Sequence, residues 1–246
     1  MNISFSFILT IIAGFSTLIG FFCCFLGHKK QEFFITVALS FASGVMISAS
    51  FFDLLIESFD YFRDSFSLFG VVLLICIFFC IGILVSSIID KKLDFNGNNL
   101  YKIGITSMIA IIMHNLPEGI ITFITSYQNP QIGLHLAIAI CLHNIPEGIA
   151  ISLPIYYSTK SKKKAFLFTL IAAISEPLGA LLAFLFLKDY ITNILIGSLL
   201  SLIAGIMTNI AIYELLPESF SYNRKLLTIV SFIIGLLFLY ITISIL

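Results

Sequence analysis

His114-Asn115-Leu116-Pro117-Glu118-Gly119 and His143-Asn144-Ile145-Pro146-Glu147-Gly148 are near-copies of one hexapeptide, each embedded in an otherwise apolar stretch. An ionisable side chain inside a membrane span costs roughly 2.5–3.5 kcal/mol at the bilayer centre on insertion scales, so one that persists there marks a functional position by default. Here two successive stretches each carry a His and a Glu. At about 100° per residue, Glu at i+4 lies roughly 40° around a helix from His at i, and Asn at i+1 lies roughly 100° around. The carboxylate therefore stands between imidazole and amide. One helix can offer His and Glu to one cation and Asn and Glu to a second, with Glu as the bridge.

The remaining positions support the same geometry. Proline at i+3 lacks an N–H and clashes with the carbonyl four residues back, so Met113 and Leu142 are expected to carry freed backbone oxygens beside the polar groups. Glycine at i+5 lets a neighbouring helix approach closely. Imidazole, carboxylate and amide oxygen together suit zinc or a similar divalent ion. The competing reading is two kinked helices whose polar groups bond to each other as packing glue; duplication in adjacent spans weighs against it.

Composition sets the class of the chain around these motifs. The 246 residues are 59% hydrophobic and only 11% charged, with a mean hydropathy of +1.10, against about 25% charged residues in soluble domains. The chain reads as an all-α polytopic membrane protein forming a single transmembrane domain, 1–246. With about 20 apolar residues per span, eight helices are predicted at roughly 4–26, 33–57, 66–89, 103–126, 132–157, 165–187, 190–216 and 226–245. The first has no basic residue before it and no small-residue cleavage site, so it reads as a retained span and not a signal peptide.

Loop charge predicts the orientation. Lys29, Lys30, Lys91, Lys92, Lys102, Lys160, Lys162, Lys163, Lys164, Arg224 and Lys225 fall in or beside alternate loops, and only Arg63 and Lys188 lie on the other side. The positive-inside rule then places both termini outside the cytoplasm. The short Lys160–Lys164 run orients the chain and meets anionic lipid; no nucleic-acid role is expected of it. Helical spans imply an inner or plasma membrane.

The other spans divide by what they carry. The first is uncharged and reads as scaffold. Cys23, Cys24, Cys76, Cys80 and Cys141 form no C-x-x-C pair and read as small apolar packers. The 90–101 loop has Asn96-Gly97 turn chemistry and no histidine run. The second span is rich in small residues over 41–50 and ends in Asp53-Leu54-Leu55-Ile56-Glu57-Ser58. The seventh has a matching Ala204-Gly205-Ile206-Met207 and ends in Glu214-Leu215-Leu216-Pro217-Glu218-Ser219. These two run in opposite directions across the membrane, as do the two motif spans. Such weak internal similarity has inverted-repeat character, with substrate held near the midplane. Asp53 and Glu214 are predicted to guide cations into and out of the pathway; Glu57 and Glu218 read equally well as acids marking helix ends. The sixth span adds Glu176 in Ser175-Glu176-Pro177, whose proline frees the Ala173 carbonyl. Three mid-membrane carboxylates repel one another and hold protons unless a divalent cation replaces those protons. His28 and His135 lie near helix ends and read as interfacial; His135, about two turns before His143 on the outer part of the same helix, has a transient entry ligand as its alternative reading.

These motifs together resemble the ZIP (Zrt/Irt-like) divalent-metal transporters, and within them the bacterial ZupT-like branch. The resemblance covers essentially the whole chain and implies zinc uptake, often with iron, manganese, cobalt or cadmium as further substrates, with no prosthetic group. It implies a two-metal site between the fourth, fifth and sixth helices: His114, Glu118, His143 and Glu147 for one ion, and Asn115, Asn144, Glu176 and Glu118 or Glu147 for the other. It also implies a homodimer in which one helix bundle moves against another. The chain lacks the long histidine-rich loop between the third and fourth spans, which argues against cytoplasmic metal feedback there.

On these residues, hydrated metal enters past Asp53, exchanges water for the two His-Glu pairs, and leaves past Glu214. An intramembrane zinc hydrolase is the main alternative, because bound zinc can activate water; the chain has no His-Glu-x-x-His, and no Ser-His or Gly-x-Ser pattern in the right context, so no enzyme activity is expected. A helical cation channel has little use for paired imidazoles.

Overall fold

The computed structural model describes residues 3–25, 31–92, 99–187 and 192–245, and these are helical almost throughout. His28, Lys29, Lys30, Lys188 and the Asn96-Gly97 turn lie outside the described residues. Among the described residues, eight helices are long and apolar enough to cross a membrane: α1 (Ile3–Phe21), α2 (Gln31–Arg63), α3 (Leu68–Lys92), α4 (Asn99–Gln128), α5 (Pro130–Thr159), α6 (Lys162–Phe186), α7 (Asn193–Ser221) and α8 (Lys225–Ile245). Local chemistry sets several starts. Asn129 accepts from the N–H groups of Gln131 and Ile132 with Pro130 in the first turn; Ser161 caps Lys164 and Thr192 caps Leu195. Each side-chain oxygen satisfies an N–H that the helix itself cannot.

The predicted spans agree in number and order, and differ most where α2 and α7 outlast them. Hydropathy ends the second span at Glu57 and the seventh at Leu216, whereas the backbone carries on to Arg63 and Ser221. The physical reason is that apolarity reports where lipid ends, while helix hydrogen bonding continues as long as the backbone permits.

Two four-helix groups result. Helices α1, α4, α5 and α6 pack on one another; α2 packs on α8 and on α7, and α7 on α3. The groups meet along α2 with α5 and α4 with α7. Lipid offers no hydrophobic drive for helix association, so close van der Waals packing through small residues must supply it. Between α2 and α8, a methyl group on Gly44 would fall 2.1 Å from the Phe232 carbonyl oxygen, and one on Gly235 would fall 2.2 Å from that of Phe41. Within this second group, the frame, α3 and α8 bury little more than Val71, Gly82 and Ser86, and Thr228, Ser231, Gly235 and Leu239, respectively.

The frame helices α2 and α7 show the inverted-repeat character at atomic level. Each is interrupted by one wide π-helical turn, Ser50–Leu54 in α2 and Ala211–Leu215 in α7, with an acid at the fourth position of both, Asp53 and Glu214. Such turns insert an extra residue and re-aim the side chains around them. Beyond the turn, Ser58 donates to the Gly197 carbonyl at the start of α7 (2.7 Å), and Ser219 donates to the Thr36 carbonyl near the start of α2 (2.9 Å). The two helices thus tie each other's ends.

Candidate metal site

Prolines 117, 146 and 177 lie inside α4, α5 and α6, and each helix continues through them. The motif glycines set the depth of packing. A methyl group at Gly119 would lie 1.9 Å from the Glu176 carbonyl oxygen, and one at Gly148 would lie 1.9 Å from that of Thr17. Hydrogen at those positions brings α4 against α6 and α5 against α1, and with them the polar residues one turn away.

The result is a buried cluster. His143 Nε2 is 3.0 Å from Glu118 Oε1. His114 Nε2 lies 3.3 Å from the same oxygen and 3.3 Å from Glu147 Oε1. The ligand atoms of His114, Glu118 and His143 all fall within 4.8 Å of one another, and the imidazole rings are 5.9 Å apart. Glu118 therefore reaches both histidines, in keeping with its position between the motif's polar groups.

The asparagines and Glu176 form an adjoining layer. Asn144 donates to Glu176 Oε2 (2.9 Å) and to the Ala13 carbonyl of α1 (2.9 Å). Asn115 donates to the Ala172 carbonyl of α6 (3.3 Å). Both amides are anchored through nitrogen, which leaves Asn115 Oδ1 and Asn144 Oδ1 without a hydrogen-bond partner. Nδ1 of His114, Nδ1 of His143, Oε2 of Glu118, Oε2 of Glu147 and Oε1 of Glu176 also make no hydrogen bond, while His114 Nε2 and Glu147 Oε1 meet only at ion-pair distance. Asn115, Asn144, Glu147 and Glu176 are 0% exposed. Buried polar atoms are normally satisfied, because leaving one unpaired costs about 1–3 kcal/mol. So many unpaired acceptors in one place are what a cation-binding layer requires and what packing glue would avoid.

The two acids predicted to guide cations, Asp53 and Glu214, sit on the wide turns of α2 and α7. Asp53, half-buried on the wide turn of α2, lies within electrostatic reach of His143, Glu118 and His114. Glu57, also half-buried, interacts with Asp53 and Glu118. Glu214 is 8% exposed and accepts a short hydrogen bond from Thr106 Oγ1 of α4. It lines a cavity of about 310 Å³ together with Asp90, Lys102 and Glu218. A separate crevice of only about 10 Å³ is lined by Thr106, Ala110, Met113, Ile206, Ile210 and Glu214. Tyr222, just past α7, donates to Glu218 (3.1 Å); burial, and then the neighbouring carboxylate, raises its phenol above the ordinary value. His135 is exposed, apart from the cluster. Cys76, Cys80 and Cys141 carry no disulfide.

Sequence reading did not foresee Thr106, Asp90 and Lys102 as neighbours of Glu214. Asp90 and Lys102 were legible only as charges beside a basic loop, and the single available hint was that Asp90 is an acid standing next to Lys91 and Lys92.

An eight-span helical membrane protein whose buried histidines and carboxylates can share a divalent ion is the class that fold and cluster define. Comparison with known proteins narrows it. Residues 91–242 match the family model described as "ZIP Zinc transporter". The chain is similar to the zinc transporter ZupT of Clostridium perfringens, 35% identical over 96% of this chain and 93% of that protein. It is also similar to those of Streptococcus mutans, 38% identical over 94% of both chains, and Campylobacter jejuni, 38% identical over 88% of both. The chain belongs to the ZIP zinc transporter family, and transport of divalent metal across the membrane is the function that membership carries. The hydrolase and channel alternatives find no support there.

Proposed function

We propose that this protein takes up zinc, and with it other divalent ions such as iron, manganese, cobalt and cadmium, into the cytoplasm through a two-metal site in the bilayer interior. The observation that carries the reading is the convergence of His114, Glu118 and His143 within 4.8 Å in a fully buried layer. His114, Glu118, His143 and Glu147 hold the first ion. Asn115, Asn144 and Glu176 hold the second, with Glu118 or Glu147 between them; the anchored amides, with their oxygens left over, support that division. Mixed nitrogen and oxygen ligands without thiolate keep affinity compatible with release.

The ion is substrate and travels from Asp53 to Glu214. The basic face, carrying Lys91, Lys92, Lys160 and Arg224, is cytoplasmic, so both termini face outside and the cavity beside Glu214 is the exit. Alternating access comes from the α1, α4, α5 and α6 group sliding against the α2, α3, α7 and α8 frame. Its ligands all belong to the first group, so the site moves as a unit. The single domain 1–246 works as a homodimer in the cell membrane, for which the sparsely buried α3 and α8 offer apolar faces. Relatives named as transporters support a carrier and not an enzyme.

Radiolabelled zinc uptake into proteoliposomes tests the reading. The parent is expected to show saturable flux that His143→Ala and Glu147→Ala abolish; either variant transporting at the parent rate removes the site.

A further inference from the structure

The exit cavity contains a group that a metal pathway would not be expected to keep, a lysine. Lys102 Nζ lies 2.7 Å from Asp90 Oδ1, with the two side chains 32% and 30% exposed. Both line the cavity with Glu214 and Glu218. Lys102 belongs to α4, the helix that carries His114 and Glu118, and Asp90 belongs to α3 of the other group. The pair therefore spans the surface along which the two groups meet. Beside it, Glu214 is nearly buried, and while its Oε2 accepts from Thr106, its Oε1 has no partner.

The electrostatics pose a problem for release. Asp90, Glu214 and Glu218 bring three carboxylates to one cavity, and a divalent ion reaching them from a nitrogen-containing site would be retained. One ammonium already occupies Asp90. It is tethered to the backbone of α4, so its effective concentration at Asp90 is high and constant, whereas that of the ion falls as it leaves. Lysine suits this role because it is a compact, strongly hydrated point charge on a flexible stem, and exchanges more readily than a two-pronged guanidinium.

We propose that Lys102 is a tethered counter-ion of the exit. Its ammonium yields Asp90 to a passing metal ion and takes it back as the ion departs, so that the cavity discharges its cargo. Because the pair joins α4 to α3, its return also marks the inward-open arrangement. The proposal rests on the reading that metal leaves by this face. Lys102 acts through Asp90 and is a positioning residue, not a ligand.

The test uses the full chain in two assays: zinc titration of the detergent-solubilised protein, and zinc uptake by proteoliposomes. Lys102→Met is expected to bind one more equivalent of zinc than the parent, and its maximal uptake rate is expected to fall about tenfold with KM unchanged or lower. Adding Asp90→Asn to that variant is expected to abolish the extra equivalent and restore most of the rate, and Lys102→Arg is expected to bind no extra ion. Those results support the tethered counter-ion. Parent stoichiometry and rate in Lys102→Met overturn it, as does a double variant that recovers nothing, which makes the pair a simple brace. A parent protein that carries no zinc removes the transport reading itself, which separates the two failures.

Discussion

Asp53 and Glu214 hold equivalent positions on two antiparallel helices, each fourth in a wide turn, yet their surroundings differ. On the Asp53 side the acid lies within electrostatic reach of His114, Glu118, His143 and Glu57. On the Glu214 side the acid is bonded to Thr106 and opens on a cavity of about 310 Å³ that also contains Lys102. An inverted repeat produces matched ends; alternating access requires that at any moment one of them is open and the other closed. Under the alternating access proposed above, the two acids are the gates of the two sides, and their differing surroundings are built from nearly the same local sequence.

The largest effect is expected at the residue on which both ends depend. Glu118 touches both histidines, and Glu118→Gln is expected to reduce zinc uptake by more than the roughly 10–100-fold that loss of a mere supporting partner costs. Uptake in proteoliposomes measures it, with circular dichroism to show that the variant is folded. Next in size, Asp53→Asn is expected to raise KM for zinc, while Glu214→Gln is expected to lower the maximal rate and leave KM nearly unchanged. Each loses about 1–2 kcal/mol of attraction for a divalent ion, roughly 5–30-fold. Equal effects on both parameters would mean that the two ends do not divide admission from release.

The pH response probes the same asymmetry more finely. The histidine and carboxylate ligands bind metal only when deprotonated, so protons compete with zinc for the site. Lowering pH on the Asp53 side is expected to decrease uptake several-fold, while acidifying the Glu214 side alone, where proton competition favours discharge, is expected to leave it higher than acidifying both. Vesicles with independently buffered interior and exterior give the contrast. The smallest effect is expected from the serines that tie the frame. Ser58→Ala removes the hydroxyl bonded to Gly197 and Ser201, and Ser219→Ala the one bonded to Thr36 and Thr228, each interhelical bond being worth about 0.6 kcal/mol on average in a membrane. Similar modest losses of thermal stability, with transport intact, are expected if the two ties are equivalent.

Much of this was legible in the residue order. His114 and Glu118 sit four apart, and helical periodicity alone put imidazole and carboxylate on one face with Asn115 beside them. The glycines at 119 and 148 announced close helix approach, and carbonyls of Glu176 and Thr17 occupy the space a side chain would need. The parallel endings of α2 and α7 pointed to an inverted repeat. Less legible were Thr106, Asp90 and Lys102, because each acquires its role from a helix distant in sequence and none stands in a repeated pattern.

Periodicity, apolarity and the doubled hexapeptide act within a single helix, and so the residue order alone specified eight spans, their succession, and which polar groups each must hide from lipid. Packing between helices settled the rest: which carbonyl orients each asparagine, which carboxylate reaches both histidines, and which of two like acids looks onto a cavity. The physical reason is range. Helix geometry is set by hydrogen bonds four or five residues apart, whereas a binding layer and a gate are made where separate helices press together, and their contacts depend on packing that no one helix specifies.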